Sequence, residues 1–235
     1  MKVAIMQPYF LPYIGYFQLI ASVDKFIMYD NIKYTKKGWI NRNRMLLNNQ
    51  EEIFTIPLRS DSNHLNISER LLAPDFSSAK LLNKFKGAYS KSPFFDETLN
   101  LLEKIVLYES INLFDFIHHS IVQICNYLDL RTEIKISSHI ETESNERYKG
   151  PERVAALCDS VQGSIYINSI GGVNLYSPQF FRARGVDLKF LKSRPFAYSQ
   201  FGAQFVPWLS IVDVLMFNSI CDVKDLLNEF DLIEF

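Results

Sequence analysis

Long hydrophobic runs are missing from this chain. No uncharged stretch approaches the ~20 apolar residues that a membrane helix needs, so membrane insertion is not expected. The apolar run at residues 3–6 is cut off by Gln7-Pro8 and is too short for a signal peptide, which places the protein in the cytoplasm. An excess of one charge is missing too. The 25 basic and 26 acidic residues leave a formal net charge of −1, which gives no global field to draw in nucleic acid or anionic lipid. No nucleic-acid partner is therefore expected. Cysteine is scarce: Cys125, Cys158 and Cys221 are odd in number, far apart and set in apolar stretches. That pattern reads as free thiols in a reducing compartment and excludes a disulfide framework. His64, His118, His119 and His139 have no metal-ligand spacing, so no metal is expected. A nucleophile elbow, a Walker A lysine and a Gly-x-Gly-x-x-Gly fingerprint are all lacking.

What is present is an alternation of strands and helices. Residues 3–6 form a short apolar run rich in β-formers. Ile14, Phe17, Ile20 and Ala21 then follow at helical spacing, and residues 25–29 read as a second strand. Strand, helix, strand within about thirty residues is a parallel βαβ unit. Residues 44–47 and 53–58 read as a hairpin around a turn at 48–51. Helical periodicity runs over 77–90, 94–108 and 111–128 with no strand between, which reads as a helical insert at 77–130 within one domain covering 1–235. Later strands are expected at 133–137, 164–168 and 186–191. Later helices are expected at 152–160, 178–184, 210–218 and 223–230. The fold class is α/β: a doubly wound, mostly parallel sheet with a β-hairpin and a helical insert.

In such folds ligands bind at the carboxyl ends of the strands. Three segments fall there. The loop from Gln7 to Tyr16 joins the first strand to the first helix, whose N-terminal N–H groups are a ready anion site. Gly15 leaves room for close approach, and Gln7 offers both a donor and an acceptor. A tight turn with aromatic packing is the other reading of this loop. The segment from Lys33 to Arg44 holds five cations, Tyr34, Trp39, Asn41 and Asn43. Cations interleaved with aromatics and amides suit a phosphate plus a sugar or base, although lysines also protect exposed sheet edges. Gly171-Gly172 follows an apolar strand and could present backbone N–H groups, or be a plain turn. Near the end of the chain a fourth candidate segment runs from Tyr198-Ser199-Gln200 through Phe205-Val206-Pro207-Trp208 to Asp213; within it Ser210 reads as a helix N-cap, with Asp213 as the imperfect partner of a capping box.

Four strings together resemble the WbqC-like protein family: Gln7-Pro8 with Pro12-Tyr13-Ile14-Gly15-Tyr16-Phe17; Tyr34 through Arg44; Gly171-Gly172; and Ser210-Ile211-Val212-Asp213. The resemblance covers nearly the whole chain, and Lys37-Gly38-Trp39-Ile40-Asn41-Arg42-Asn43-Arg44 is its most specific part. It implies a place in surface-polysaccharide (lipopolysaccharide O-antigen) biosynthesis and transfer of an amino acid, glycine being one candidate, to a sugar. Tyr13-Ile14-Gly15-Tyr16 also sits where HIGH-motif nucleotidyltransferases, whose fold is the HUP type, carry His-x-Gly-His. Both histidines are tyrosine here, and a phenol can donate a hydrogen bond to phosphate but cannot supply imidazolium charge.

The expected function is thus a transferase, or ATP-dependent ligase, that joins an amino-acyl group to an amino-sugar nucleotide. Tyr13, Gly15 and Tyr16 would cradle phosphate, and Lys36, Lys37, Arg42 and Arg44 would neutralise it. Trp39 would stack on a sugar or base, Asn41 and Asn43 would read hydroxyls, and Tyr13, Tyr16 and Lys37 are the catalytic candidates. Gln7, Gly171 and Gly172 complete the expected ligand-binding set. The alternative is a non-catalytic sugar-nucleotide-binding or scaffolding protein of the same pathway. The use of ATP and a homo-oligomeric state are left open.

Overall fold

The chain opens with β1 (Lys2–Met6), α1 (Ile14–Ala21) and β2 (Lys25–Met28). Val3 and Ile5 of β1 and Ile27 of β2 enter one buried cluster, while Ala4, Phe26 and Met28 enter another. Both faces of these strands are covered, which is why they read as continuous apolar runs and not as alternations. β1 and β2 are parallel, with Val3 opposite Lys25 and Met6 opposite Met28. This computed structural model describes residues 1–140, 148–202 and 204–234.

A hairpin follows, formed by β3 (Arg42–Leu47) and β4 (Gln50–Thr55). Its turn is Asn48-Asn49, with φ of +52° and +63°. That is tighter than the turn expected at 48–51. Two asparagines tolerate the left-handed region that a two-residue hairpin turn demands, and the second strand moves toward the turn accordingly, beginning at Gln50. The hairpin is a sheet of its own, separate from the main one.

Three helices come next: α2 (Ser78–Tyr89), α3 (Phe95–Val106) and α4 (Leu113–Tyr127). The Ser77 hydroxyl caps α2 by accepting from the Lys80 N–H, and Asn112 Oδ1 caps α4 by accepting from the Asp115 N–H. Leu82, Phe85, Leu102, Ile105, Ile117 and Ile121 from these helices share one buried cluster with Ala4 of β1 and Phe17 of α1.

The rest of the chain alternates: β5 (Glu133–Ile136), α5 (Gly150–Ser160), β6 (Ile165–Ser169), α6 (Pro178–Arg182), β7 (Asp187–Ser193), α7 (Ile211–Phe217), α8 (Ile220–Leu226) and β8 (Phe230–Ile233). Among the described residues the main sheet has the order β5-β2-β1-β6-β7-β8. All neighbours are parallel except β8, which runs antiparallel to β7. The expected parallel set β5, β2, β1 and β6 is therefore contiguous. Helices α5 and α6 cover one face through Val154, Leu157 and Phe181, and the larger cluster covers the other. The fold is a doubly wound α/β sheet with a β-hairpin.

A second difference from expectation lies near the end of the chain. Residues 223–230 were expected to be helical, but α8 begins at Ile220 and ends at Leu226, and Phe230–Ile233 is an edge strand. The reason lies at the helix start. The Ser219 hydroxyl accepts from the Asp222 N–H while the Asp222 carboxylate accepts from the Ser219 N–H, a capping box that sets the helix three residues early.

The strand order places the switch point of the winding between β1 and β6. The chain leaves β1 toward β2 and β5, then returns to the other side at β6. A crevice opens there, beyond the carboxyl ends of both strands.

Candidate functional site

The loop after β1 is fixed from three directions. The Phe10 N–H donates to the Ile40 carbonyl at 2.9 Å, and the Ile211 N–H donates to the Pro12 carbonyl at 2.8 Å. Between them Leu11 is fully buried with φ of +44°, a conformation rare for a side-chain-bearing residue. Its carbonyl accepts from Asn43 Nδ2 at 2.8 Å and from the Ser210 hydroxyl at 2.7 Å. Backbone strain of this kind persists only where the surroundings over-determine it. The Tyr16 hydroxyl donates to the Gln7 carbonyl at 3.1 Å, and the Tyr9 hydroxyl reaches Gln7 Oε1 at 3.4 Å.

Against this loop lies a cavity of about 240 Å³. Tyr9, Tyr13, Trp39, Arg44, Ser169 and Trp208 supply most of its chemistry. Ser169 ends β6, so the cavity occupies the switch-point crevice. Gly15 lines it as well, and the Tyr13 ring lies where a Cβ on Gly15 would be. Gly15 thus lets Tyr13 fold back over the start of α1. No side chain caps that helix, and its first turn carries no acidic residue.

Of the expected site residues, Tyr13, Gly15, Tyr16, Trp39, Asn43 and Arg44 come together in this lining. Arg44 stacks on the Trp39 ring at 5.2 Å and pairs with Glu51 at 2.9 Å, while its Nε is buried without a partner among the described residues. Arg42 lies over the same ring at 5.4 Å but is turned to the backbone: its Nε donates to the Gly38 carbonyl and its Nη2 to the Lys37 carbonyl. Lys36 and Lys37 are exposed on the turn that Arg42 fastens, and neither has an ion pair among the described residues. Asn41 and Asn43 are buried, with their amides engaged inside the fold. Asn41 accepts from the Tyr34 hydroxyl and donates to the Ile56 carbonyl; Asn43 donates to Leu11 and accepts from the Arg44 N–H. Gln7, Lys36, Lys37, Asn41, Arg42, Gly171 and Gly172 do not line this cavity. Gly172 makes room for the Asn168 amide, which would lie 2.5 Å from an added Cβ.

Trp208 lies in the candidate tail segment but has no place in the expected ligand-binding set. It is 58% exposed, has φ of +61°, and sets its ring against Tyr13 with centroids 6.0 Å apart. The only signal for it in the sequence is Phe205-Val206-Pro207-Trp208, aromatic residues without helix or strand periodicity. The neighbouring pair departs from the expected capping box. Ser210 does cap α7, accepting from the Val212 N–H at 3.2 Å. Asp213 turns inward and accepts from the Tyr89 and Tyr198 hydroxyls and from Gln200 Nε2. Burial raises its carboxyl pKa, with those three donors opposing the shift.

A model of the WbqC-like protein family matches residues 7–225. The chain belongs to the WbqC-like protein family. It is 30% identical over 231 residues to the uncharacterized protein Rv1507c of Mycobacterium tuberculosis, a match covering 97% of each chain. No solved structure matches it significantly. The family match takes in both the loop after β1 and the segment bearing Trp208, so every wall of the cavity beyond Met6 lies inside it.

The chemistry open to this WbqC-like protein follows from its phenols. Burial raises the Tyr13 pKa, with a Ser193 hydrogen bond opposing it; burial followed by the neighbouring Tyr13 raises that of Tyr9. Tyr16 is pushed well above the ordinary phenol range, chiefly by burial. All three are neutral at ordinary pH, able to donate hydrogen bonds and unable to serve as phenolate bases. Among the described residues no helix is long and apolar enough to cross a membrane.

Proposed function

We propose that the switch-point cavity receives the amino-sugar and phosphate end of a nucleotide-linked amino sugar, and that the protein joins an amino-acyl group to it in the cytoplasmic phase of surface-polysaccharide (O-antigen) biosynthesis. The observation that carries this reading is the pairing of aromatic walls with Arg44. Its guanidinium stacks on Trp39, and the residue lines the cavity. Aromatic faces take a sugar or base, and an arginine donor takes a phosphate oxygen. Lys36 and Lys37 add unpaired positive charge on the nearby turn.

The sugar amine is the nucleophile, so the reaction asks for no protein nucleophile. With ATP as activator, the acyl carboxylate displaces pyrophosphate to give an acyl-adenylate. The amine nitrogen then attacks the acyl carbon. A C–N bond forms, the C–O bond to phosphate breaks, AMP leaves with the electron pair, and the ammonium proton passes to water. Orientation alone accelerates such an encounter strongly. Glycyl is the smallest acyl group that fits the scheme.

A second reading is favoured by one observation: the cavity lining contains no carboxylate, histidine or thiol. A binding or scaffolding protein of the same pathway needs none. Calorimetry against a panel of sugar nucleotides tests the shared part. Arg44→Ala should weaken the best ligand by about 1.5–3 kcal/mol, the worth of a hydrogen bond to a charged group. Arg44→Lys should not fully restore it, since lysine cannot reproduce the planar fork. Unchanged affinity in both variants removes Arg44 from the site. Mass spectrometry of the bound sugar nucleotide after incubation with ATP and amino acids then separates the readings. An amide adduct supports the transferase, and binding without an adduct supports the scaffold.

A further inference from the structure

Beyond the Tyr13–Trp208 pair lies a second cavity, of about 260 Å³. Both cavities are lined by those two residues, so they are neighbouring chambers of one cleft with an aromatic partition. The chemistry of the second chamber is different. Ile14, Phe196, Tyr198, Phe205, Leu209 and Val214 make its walls. Its polar groups are few and already engaged. The Ser193 hydroxyl donates to Gln18 Oε1 at 2.6 Å, the Tyr198 hydroxyl to Asp213 at 2.7 Å, and Arg194 pairs with Asp231 at 2.7 Å.

This chamber is built and held. Gln200 holds Val206, which stands between the wall residues Phe205 and Pro207, by accepting from its N–H at 2.8 Å while donating to Asp213 at 2.7 Å. Asp213 is fully buried and anchors Gln200 and Tyr198 to α7. A nucleobase or sugar placed here would leave its hydrogen-bonding edges without partners, whereas an apolar group would gain burial. Size narrows the class further. An apolar cavity of roughly 150 Å³ takes up benzene. A chamber of 260 Å³ therefore accommodates a benzyl, isobutyl or indolyl group. The hydrogen that is glycine's side chain would leave its walls without contacts.

We infer that the second chamber binds the apolar side chain of the acyl group, so that the amino acid joined to the sugar is aromatic or branched aliphatic and not glycine. Its carbonyl would lie at the Tyr13–Trp208 partition, facing the amino sugar in the first chamber. The assignment of the occupant as an acyl group rests on the proposed transfer; the chamber's preference for an apolar group of ring size does not.

The test uses the full chain, with phenylalaninamide, leucinamide, glycinamide and adenosine as probes, read by calorimetry and ligand-observed saturation-transfer NMR. Phenylalaninamide and leucinamide should bind at least about tenfold tighter than glycinamide, and adenosine should not displace them. Phe205→Ala should weaken both apolar probes about tenfold while leaving sugar-nucleotide affinity unchanged. Trp208→Ala, at an exposed position that does not endanger folding, should weaken them too. Glycinamide binding as tightly as phenylalaninamide, displacement by adenosine, or full apolar-probe affinity in both variants would overturn the inference. If apolar probes bind and no sugar nucleotide does, the chamber stands and the reading of the first cavity falls. The reverse result sinks the chamber and leaves that reading intact.

Discussion

The loop after β1 and the segment after β6 reach the same crevice but are held in opposite ways. Leu11 at the centre of the first is fully buried, left-handed and hydrogen-bonded through its carbonyl to the hairpin and to Ser210. The second, Ile170–Leu175, begins with Ile170 38% exposed and ends with Leu175 66% exposed. Only Ser169, at its N-cap, reaches the cavity. The contrast teaches where recognition is built. A wall held by distant parts of the chain keeps its geometry without a ligand, as pre-organised binding requires. A segment with few buried contacts is free to adjust at the rim.

Four substitutions break or sharpen this contrast. Asn43→Ala should do the most damage, about 3 kcal/mol of stability by denaturant unfolding. It takes a donor from the Leu11 carbonyl and an acceptor from the Arg44 N–H inside a closed site. A loss below about 1 kcal/mol would mean that the loop is not held from the hairpin. Gly172→Ala comes next, at about 1–3 kcal/mol, because the new methyl meets the Asn168 amide at 2.5 Å. It shows whether the second segment has one rigid point. Ser210→Ala should cost about 1 kcal/mol, since a cap is lost while Asn43 still satisfies the Leu11 carbonyl. Gly171→Ala should fall within about 0.5 kcal/mol, because an added Cβ meets only the Ser169 hydroxyl, at 3.9 Å. A large loss there would erase the difference between the two loops.

What the sequence displays follows the same division. The β1-α1-β2 unit was legible because its signals are local: an apolar run, helical spacing at Ile14, Phe17 and Ile20, and a second apolar run. The hairpin was legible except for its turn, where two left-handed asparagines close it more tightly than a count of polar residues implies. Strand β8 was hidden. Four residues, Phe-Asp-Leu-Ile, carry too little periodicity to separate from the helix before them. Within the candidate site, Tyr13, Trp39 and Arg44 were legible from aromatics and cations near one strand edge. The internal partners of Asn41, Asn43 and Arg42 were not, because an amide or guanidinium looks the same in sequence whether it faces ligand or backbone. Trp208 stood in the candidate tail segment, but nothing in the sequence joins it to this site, because it enters the crevice from the far end of the chain.

The chain contains two tryptophans, and Trp39 and Trp208 both line the first cavity. Selective excitation of indole therefore reports from the two-chambered cleft, Trp208 facing both chambers, with no background emission from the core. Each ring is partly open to water, Trp39 at 39% and Trp208 at 58%, so an occupant that displaces water should change their colour and yield together. The protein carries its own optical gauge of occupancy. Replacing either indole with phenylalanine would assign the signal to the hairpin side or to the partition.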